Sequence, residues 1–421
     1  MPSATIPAVA DAFAVPSAAL ARPAGSAVAR RAAVLILLLA VTFGQRLCFP
    51  LSTFQISICA PLAFLALYIL IGAGEARINT IGFMLYGLTV AAMVATLYLG
   101  KDYFSPFSFI YLALLYAVYV VSVDVTREEY LSYLNIFQRL LVVLACIAIA
   151  QYLEQVTTGT TFSLFDYIPR DFKLLGYNTR PTLEYGSTFH KANADFFLEP
   201  SFLSQYMALG IIIEIIFLGK WWRAVLFGIA IFASFSGTGM FLLALFAVLA
   251  VLKARRYELL LAVPVLGVLY FLFENNSYVT AITGRLAEFD AQNSSAFVRF
   301  IGPNQALEDL VYPDFRVFLV GKGPGVVDQL GRTLGYIANF PVMHKVLIEY
   351  GICGLMPFMA FILYRFFGAP RSRILGGALI VMYLFLSGSL LQPHTIYLAY
   401  VLGIIFPRQE GEALPGEGAA A

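Results

Sequence analysis

Long apolar runs separated by short polar stretches recur along almost the whole chain. Runs of this length and polarity are typical of helices that cross a lipid bilayer. The pattern predicts an all-α fold, a polytopic integral membrane protein of about 12 transmembrane helices with two large loops on one side. The predicted spans are Ala32–Leu47, Phe54–Ile71, Thr80–Leu99, Phe107–Val123, Leu134–Tyr152, Pro200–Leu218, Trp222–Phe235, Met240–Leu252, Leu259–Phe273, Val342–Phe366, Ile374–Leu391 and Ile396–Phe406.

The stretch Trp222–Leu252 can be divided in two ways. As a single helix it would be on the order of 45 Å long, well beyond the hydrocarbon thickness of about 30 Å. A turn at Ser236-Gly237-Thr238-Gly239 gives two short spans instead. That turn also brings the cations before the first span to the same side as those after the second. We therefore predict two helices joined at this turn.

The distribution of cations orients the predicted bundle. With both termini inside, most Lys and Arg of the short connections lie inside, whereas the short outer connections carry essentially Arg46 and Lys101. This asymmetry agrees with the positive-inside rule. The inner cations are Arg22, Arg30, Arg31, Arg77, Arg127, Lys220, Arg223, Lys253, Arg255, Arg256, Arg365, Arg371, Arg373 and Arg408.

This orientation divides the chain into three parts. Residues 1–31 are predicted to be a disordered cytoplasmic tail, residues 32–406 the membrane domain, and residues 407–421 a second disordered tail. Because the leader is long and no small-x-small site follows the first span, an anchor helix is favoured over a cleaved signal peptide. The two long connections, about 154–199 and 274–341, lie outside, where function tends to concentrate.

Composition supports a membrane protein and argues against several other classes. Hydrophobic residues make up 60% of the chain and charged residues 12%, with a mean hydropathy of +0.81, which argues against a large soluble core. A net charge of +2 gives no reason to expect nucleic acid as a partner. The four cysteines lack CxxC spacing, and the three histidines lack ligand spacing. We therefore predict neither a disulfide framework nor a metal site.

The two outer loops contain most of the candidate chemistry. Arg180 lies in the first loop, and Arg299, Arg316 and Lys322 lie in the second, with carboxylates between them. Guanidinium groups bind phosphate oxygens in a bidentate way, so these cations suit a phosphate-bearing lipid. Ordinary surface ion pairs are the alternative for each of them.

His344 and Glu199 are the candidate catalytic residues. His344 stands at the outer start of a predicted span, where a neutral imidazole can take a proton from a hydroxyl group. The alternative is a polar residue at a helix start with no role in chemistry. Glu199 precedes Pro200 at another predicted helix start, where an acid complements the helix dipole. A role in orienting the base or the substrate would be additional to that structural one.

The segment Gly321-Lys322-Gly323-Pro324-Gly325 has the glycine content of a phosphate-binding loop but not its pattern. No glycine precedes it at Walker spacing, and no Ser or Thr follows the lysine. An outward site has no nucleotide to use. Any bond formation there must draw on an already activated substrate, and we predict no cofactor.

Four motifs, taken in order, resemble the O-antigen ligase and Wzy-type polysaccharide polymerase superfamily. They are Phe197-Leu198-Glu199-Pro200-Ser201-Phe202; the turn Ser236-Gly237-Thr238-Gly239; Arg299 followed by Ala306-Leu307 and Gly321-Lys322-Gly323-Pro324-Gly325; and His344 followed by Glu349-Tyr350-Gly351-Ile352-Cys353-Gly354. The chain departs from the family pattern at three points. Gly237 stands where many relatives have arginine, Lys345 stands where they have asparagine, and the interval from His344 to Gly351 is shorter by about one helical turn.

The resemblance implies a glycosyltransferase that uses neither metal nor nucleotide at the periplasmic face of a bacterial inner membrane. Its substrates would be oligosaccharides linked to undecaprenyl diphosphate within the membrane lipid. Arg299, with Arg180 or Lys322, would hold the leaving diphosphate, His344 would take the acceptor proton, and Glu199 would position the acceptor or the base. A flippase and a chain-length regulator of the same pathway are the implied partners.

Several functions remain open at this stage. Because Gly237 replaces the usual arginine, we favour a polymerase of repeat units over an O-antigen ligase that transfers glycan to lipid A-core. A lipid-linked oligosaccharide flippase should have charges along many spans, whereas here they cluster in two outer loops. A secondary transporter should have paired broken helices in two halves of the sequence. A non-catalytic scaffold is the remaining alternative.

Overall fold

The computed structural model describes residues 24–51, 54–99, 103–183, 189–253, 257, 294, 297–386 and 390–409. The predicted span Leu259–Phe273, the first 23 residues and most of the predicted carboxyl-terminal tail lie outside this part of the chain. The described residues are mainly helical, as the apolar runs predict.

The helices of the amino-terminal half are α1 (Ala24–Phe43), α2 (Cys59–Gly72), α3 (Thr80–Leu99), α4 (Pro106–Ala117), α5 (Arg127–Thr158), α6 (Pro200–Ile213), α7 (Trp221–Ser234) and α8 (Gly237–Lys253). Those of the carboxyl-terminal half are α9 (Gly302–Leu310), α10 (Phe315–Val320), α11 (Val326–Thr333), α12 (Val342–Phe367), α13 (Arg373–Val381) and α14 (Pro393–Ala399). π-Helical turns occupy Glu214–Leu218, Phe297–Ile301, Met382–Leu386 and Tyr400–Ile404. Short 3₁₀ turns occupy Val118–Val120, Leu164–Tyr167 and Arg170–Phe172.

Five helices of the described residues are long and apolar enough to cross a membrane. They are Ser26–Phe43, Thr80–Leu99, Arg127–Thr158, Pro200–Leu218 and Val342–Phe367. Shorter apolar helices include α2, α7 and α13. On α3, the side chains of Ile81, Met84 and Leu88 are 55%, 66% and 56% exposed, as expected of a helix that faces lipid. The chain is therefore a helical membrane protein, and the total of about twelve spans stays a prediction.

Two short antiparallel sheets lie among the helices of this mainly α-helical protein. Strand β1 (Cys48–Leu51) pairs with β2 (Phe54–Ser57), and β3 (Ala76–Ile78) pairs with β4 (Val121–Val123). β2 lies where a helix was predicted to begin, and β4 lies where one was predicted to end. Valine and isoleucine favour strands as well as apolar helices, so an apolar run alone does not show where a helix stops.

The structure also shows where two predicted boundaries lie, one within Trp222–Leu252 and one at the start of α1. The stretch Trp222–Leu252 is divided as predicted, because α7 ends at Ser234 and Phe235 adopts a left-handed conformation with φ 44°. α1 begins at Ala24, eight residues before the predicted start of the membrane domain at residue 32. The prediction of disorder up to residue 31 is therefore wrong for residues 24–31, which are rich in alanine and form helix readily.

Ion pairs connect helix ends at the side that the cations assign to the cytoplasm. Arg30 of α1 contacts Glu75, which follows α2, at 2.5 Å and Glu129 of α5 at 2.7 Å. Arg77 pairs with Asp124 across the β3–β4 sheet. The starts of α1 and α5 thus lie together at one end of the bundle.

The first large loop packs against the opposite end. Arg46, just after α1, pairs with Asp195 at 3.1 Å, and the two side chains are only 8% and 6% exposed. Asp195 also accepts hydrogen bonds from the Ser163 hydroxyl and, at 2.7 Å, from the Leu164 amide. At the end of α5, Gln155 accepts a hydrogen bond from the His190 amide at 2.6 Å. These contacts hold the loop over the ends of α1 and α5, beside the start of α6.

Candidate functional site

The Glu-Pro-Ser motif begins helix α6, as the sequence predicts. Glu199 stands at the N-cap position with an extended backbone (φ −144°, ψ 154°), and Pro200 is the first helical residue. Proline suits this position because its missing N–H group would have no helical partner there. The Glu199 carboxylate does not cap its own helix. It is therefore available to groups that lie beyond the helix.

The Ser-Gly-Thr-Gly turn lies against the start of α6. The Gly239 amide donates to Ser204 Oγ at 3.1 Å, and Thr238 Oγ1 donates to the Ser201 carbonyl at 3.3 Å. A Cβ atom at Gly239 would lie 2.3 Å from the Ser204 carbonyl oxygen, so only glycine permits this approach. The amino ends of α6 and α8, both electropositive, therefore lie side by side.

Arg299 reaches the start of α6 from the second large loop. It lies in the π-helical turn Phe297–Ile301, and its Nη2 donates to Glu199 Oε2 at 2.9 Å and to Ser201 Oγ at 3.0 Å. The Ser201 hydroxyl itself donates to Glu199 Oε2 at 3.0 Å. The Arg299 and Glu199 side chains are 13% and 22% exposed. We call these three residues the Arg299 cluster.

The structure thus brings together two residues that the sequence proposed separately. Glu199 and Arg299 are 100 positions apart, in the two different long loops. The turn Ser236–Gly239 joins them through Ser201 and Ser204 of α6. Residues from three of the four sequence motifs therefore meet at one place.

His344 lies in the first turn of α12 and is bonded to a neighbour of Arg299. Its Nε2 is 3.1 Å from Oδ1 of Asn304 on α9. Asn304 Nδ2 donates to the Phe300 carbonyl at 2.7 Å, so its oxygen faces the imidazole. The Nε2–H group of His344 is therefore the donor to Asn304, and in the neutral ring the lone pair lies on Nδ1. Nδ1 is buried and has no hydrogen-bond partner among the described residues.

The segment before α12 is attached to the turn that bears Arg299. The Asn339 amide donates to the Val298 carbonyl at 2.8 Å. A Cβ atom at Gly302 would lie 3.1 Å from the Ile337 carbonyl oxygen, which shows how closely the two segments approach. His344 and Arg299 consequently belong to one packed unit of the second loop.

The Gly321–Gly325 loop packs on a kink in α12. Gly351 breaks that helix with φ 62° and ψ −170°. The Lys322 amide donates to the Ile348 carbonyl at 2.8 Å, and the Gly323 amide donates to the Glu349 carbonyl at 2.9 Å. The loop thereby satisfies two carbonyls beside the kink. Its backbone is used to hold the helix, consistent with the absence of a Walker pattern.

Lys345 is 5% exposed and lies inside the protein. Its Nζ lies 3.0 Å from Asp328 Oδ1 on α11 and 3.8 Å from Glu349 Oε1 one turn along α12. The charge of Lys345 is thus matched by two carboxylates. It stabilises the junction of α11 and α12.

The other two candidate arginines make contacts of their own. Arg180 pairs with Asp166 at 2.6 Å within the first loop, and the two side chains are 37% and 54% exposed. Arg316 is exposed and donates to the Leu99 carbonyl at the end of α3 at 3.3 Å. Both contacts fit the alternative of ordinary surface interactions.

Tyr177 of the first loop lies near the Arg299 cluster. Burial, and secondarily the negative charge of Glu199, raises the pKa of its phenol to about 12, while a hydrogen bond from Gln392 acts in the opposite direction. The ring also meets Phe202 of α6 edge-on, with ring centroids 6.5 Å apart. Tyr177 therefore stays protonated at physiological pH.

No protein-family model matches the chain, and no curated protein matches it.

The sequence did not identify two residues of the site. Ser201 belongs to a sequence motif but had no predicted role, and Asn304 was not among the candidate residues. The signal for Ser201 is its position two residues after Glu199, as the second residue of α6. Asn304 lies on α9, five residues after Arg299, a spacing that no apolar pattern reveals.

Proposed function

We propose that the chain is a polymerase that joins oligosaccharide repeat units carried on undecaprenyl diphosphate, at the periplasmic face of a bacterial inner membrane. The reaction transfers a growing glycan from its lipid diphosphate to a hydroxyl group of the next lipid-linked unit. It needs an already activated donor, a cation for the leaving diphosphate and a base for the acceptor hydroxyl.

The observation that carries this proposal is the contact of Arg299 with Glu199 and Ser201. A cation, a carboxylate and a hydroxyl lie within 3.0 Å of one another at the electropositive start of α6. They lie at the end of the bundle to which the long loops belong. Such a group suits a substrate that carries both phosphate and sugar hydroxyls.

The roles follow from the chemistry of each side chain. Arg299 stabilises the charge that develops on the diphosphate as the glycosidic bond breaks. His344 or Glu199 takes the proton of the acceptor hydroxyl. Arg180 and Arg316 make contacts away from this pair, and the Lys322 backbone packs on the kink of α12. Arg299 is therefore the main diphosphate contact that we propose.

A membrane assay with purified lipid-linked repeat units tests the proposal. Wild-type protein in proteoliposomes should convert single units into a ladder of longer chains without added metal or nucleotide. Arg299→Ala should reduce chain growth by roughly 100-fold, the usual effect of removing one group that stabilises developing charge. Normal growth by both the Arg299→Ala and the His344→Ala proteins would refute the site assignment.

Cells that lack the protein separate polymerase from flippase. Loss of a polymerase should leave single lipid-linked units on the outer face of the membrane, where an added glycan-modifying enzyme can label them. Loss of a flippase should leave these units inside and unlabelled. Transfer of glycan to lipid A-core in the same cells would favour the ligase.

A further inference from the structure

The Glu199 carboxylate is engaged on one oxygen only. Oε2 accepts hydrogen bonds from Arg299 and Ser201, and no donor to Oε1 is found in the part of the chain that the structure describes. The side chain is 22% exposed, so water and substrate can reach it. A carboxylate held in place by one oxygen and open at the other has the geometry of a general base.

His344 is less available for the same task. Its Nε2 is occupied by Asn304, and its Nδ1 is buried. A substrate hydroxyl would have to displace Asn304 or enter the packed start of α12 to reach a lone pair. Of the two candidate bases, Glu199 is the one whose unbonded acceptor atom is not among the buried ones.

Arg299 also has N–H groups that these contacts do not use. It uses only Nη2 in its contacts with described residues, whereas a guanidinium carries several N–H groups in a planar fork. A diphosphate carries more charge than a carboxylate and accepts two of these groups at once. The donor substrate therefore competes with Glu199 for Arg299.

From these contacts we propose that Glu199 is the proton-accepting residue and that binding of the donor's diphosphate to Arg299 releases it for this task. The inference rests on the proposed function. When Arg299 turns to the diphosphate, Glu199 Oε2 loses its hydrogen bond from Arg299. Ser201 still donates to Oε2 and keeps the carboxylate oriented. The carboxylate thereby stays paired with Arg299 until the donor is in place.

The step balances without any further reagent. The acceptor hydroxyl gives its proton to Glu199, and its oxygen forms a bond to the anomeric carbon of the donor glycan. The bond between that carbon and the diphosphate breaks, and the electron pair leaves with the diphosphate, which Arg299 binds. The proton on Glu199 then passes to solvent through the exposed Oε1.

A binding experiment tests the competition separately from catalysis. Binding of undecaprenyl diphosphate to the protein in lipid nanodiscs is measured for wild type, Glu199→Gln and Arg299→Gln. A partly exposed ion pair of this kind is worth about 1 kcal/mol, so Glu199→Gln should bind about two- to fivefold more tightly. Arg299→Gln should bind about tenfold more weakly or worse. The exposed carboxylate of Glu308 on α9 gives the control, because Glu308→Gln removes the same charge from the segment that bears Arg299.

Chain growth supplies the second readout. Glu199→Gln should slow growth by about 100-fold or more at saturating donor, since a lost general base costs this much, while Glu308→Gln should not. Weaker diphosphate binding by Glu199→Gln, or normal chain growth by it, would overturn this inference and leave the polymerase proposal standing. A wild-type protein that neither binds undecaprenyl diphosphate nor extends chains would instead refute the proposed function.

Discussion

Two arginine–carboxylate pairs lie at the same end of the bundle, and they differ in how completely they are enclosed. In the Arg46–Asp195 pair both side chains are less than a tenth exposed, and the carboxylate has three kinds of partner. The Arg46 guanidinium also lies 4.0 Å from the centre of the Phe165 ring. In the Arg299–Glu199 pair one carboxylate oxygen and most of the guanidinium donors have no partner among the described residues.

This difference in enclosure separates a pair that stabilises the fold from a pair that can take part in chemistry. An enclosed pair fixes the first loop, because breaking it would leave a buried charge. A partly exposed pair contributes less to stability and can exchange its partner for a ligand. The two pairs cannot be told apart in the sequence, because each consists of a cation and a carboxylate in polar segments.

The first prediction concerns the free energy of unfolding. Asp195→Ala should lower it by about 3–5 kcal/mol, because Arg46 is then left buried without its counter-charge. Glu199→Ala should lower it by no more than about 1 kcal/mol. Denaturant unfolding of the purified proteins in detergent micelles compares the two. Equal losses would show that the two pairs have the same structural role.

The second prediction is that the Gly321–Gly325 loop has a structural role. Gly323 has φ 102°, and a Cβ atom there would lie 1.8 Å from the Tyr103 carbonyl oxygen. Gly323→Ala should cost about 1–3 kcal/mol from backbone strain alone.

Gly331 on α11 is the matched control for this substitution. A Cβ atom at Gly331 meets no described atom within 4 Å, so Gly331→Ala should be neutral or stabilising by up to about 1 kcal/mol. The same unfolding measurement gives both values. A tolerated Gly323→Ala would mean that the loop does not hold the kink of α12.

The third prediction compares Arg299 with Arg180 in the assay of chain growth. Lysine keeps the charge of arginine but loses its planar fork, so Arg299→Lys should reduce growth by about tenfold. Arg180 pairs with Asp166 at the surface, and Arg180→Lys should change growth by less than about twofold. An equal loss in both variants would place Arg180 beside Arg299 at the diphosphate.

The sequence was informative where local rules decide the structure. Pro200 and the acid before it mark the start of α6, and two glycines mark the turn before α8. Apolar runs indicate the helices because backbone groups in lipid must bond within the helix. At the level of single residues, the cation and the carboxylate of the Arg299 cluster were both among the candidates.

The partners of these residues could not be read in the same way. Glu199 meets Arg299 only because two loops of the chain fold over the start of α6. The strand of Val121–Val123 and the π-helical turn at Arg299 each depend on neighbours that are distant in sequence. Likewise, no sequence pattern distinguishes the enclosed Asp195 from the partly exposed Glu199, because enclosure is a property of packing.

The last prediction concerns Gly237, the first residue of α8. Gly237 is exposed, and a Cβ atom there would meet no described atom within 4 Å, so a long side chain has room. It opens α8 beside the start of α6, close to Ser201 and Ser204. Gly237→Arg should therefore fold normally and bind undecaprenyl diphosphate about two- to fivefold more tightly, as one added exposed cation allows.

Gly237→Gln is the control for Gly237→Arg, because glutamine adds length and hydrogen-bonding groups without charge. The gain in affinity should appear in the arginine variant alone and shrink at high salt, as expected of an exposed charge. It should also add to the gain in Glu199→Gln, since one change supplies a cation and the other frees one. Unchanged affinity in Gly237→Arg would mean that the bound diphosphate lies on the Arg299 side of the cluster, away from the α8 turn.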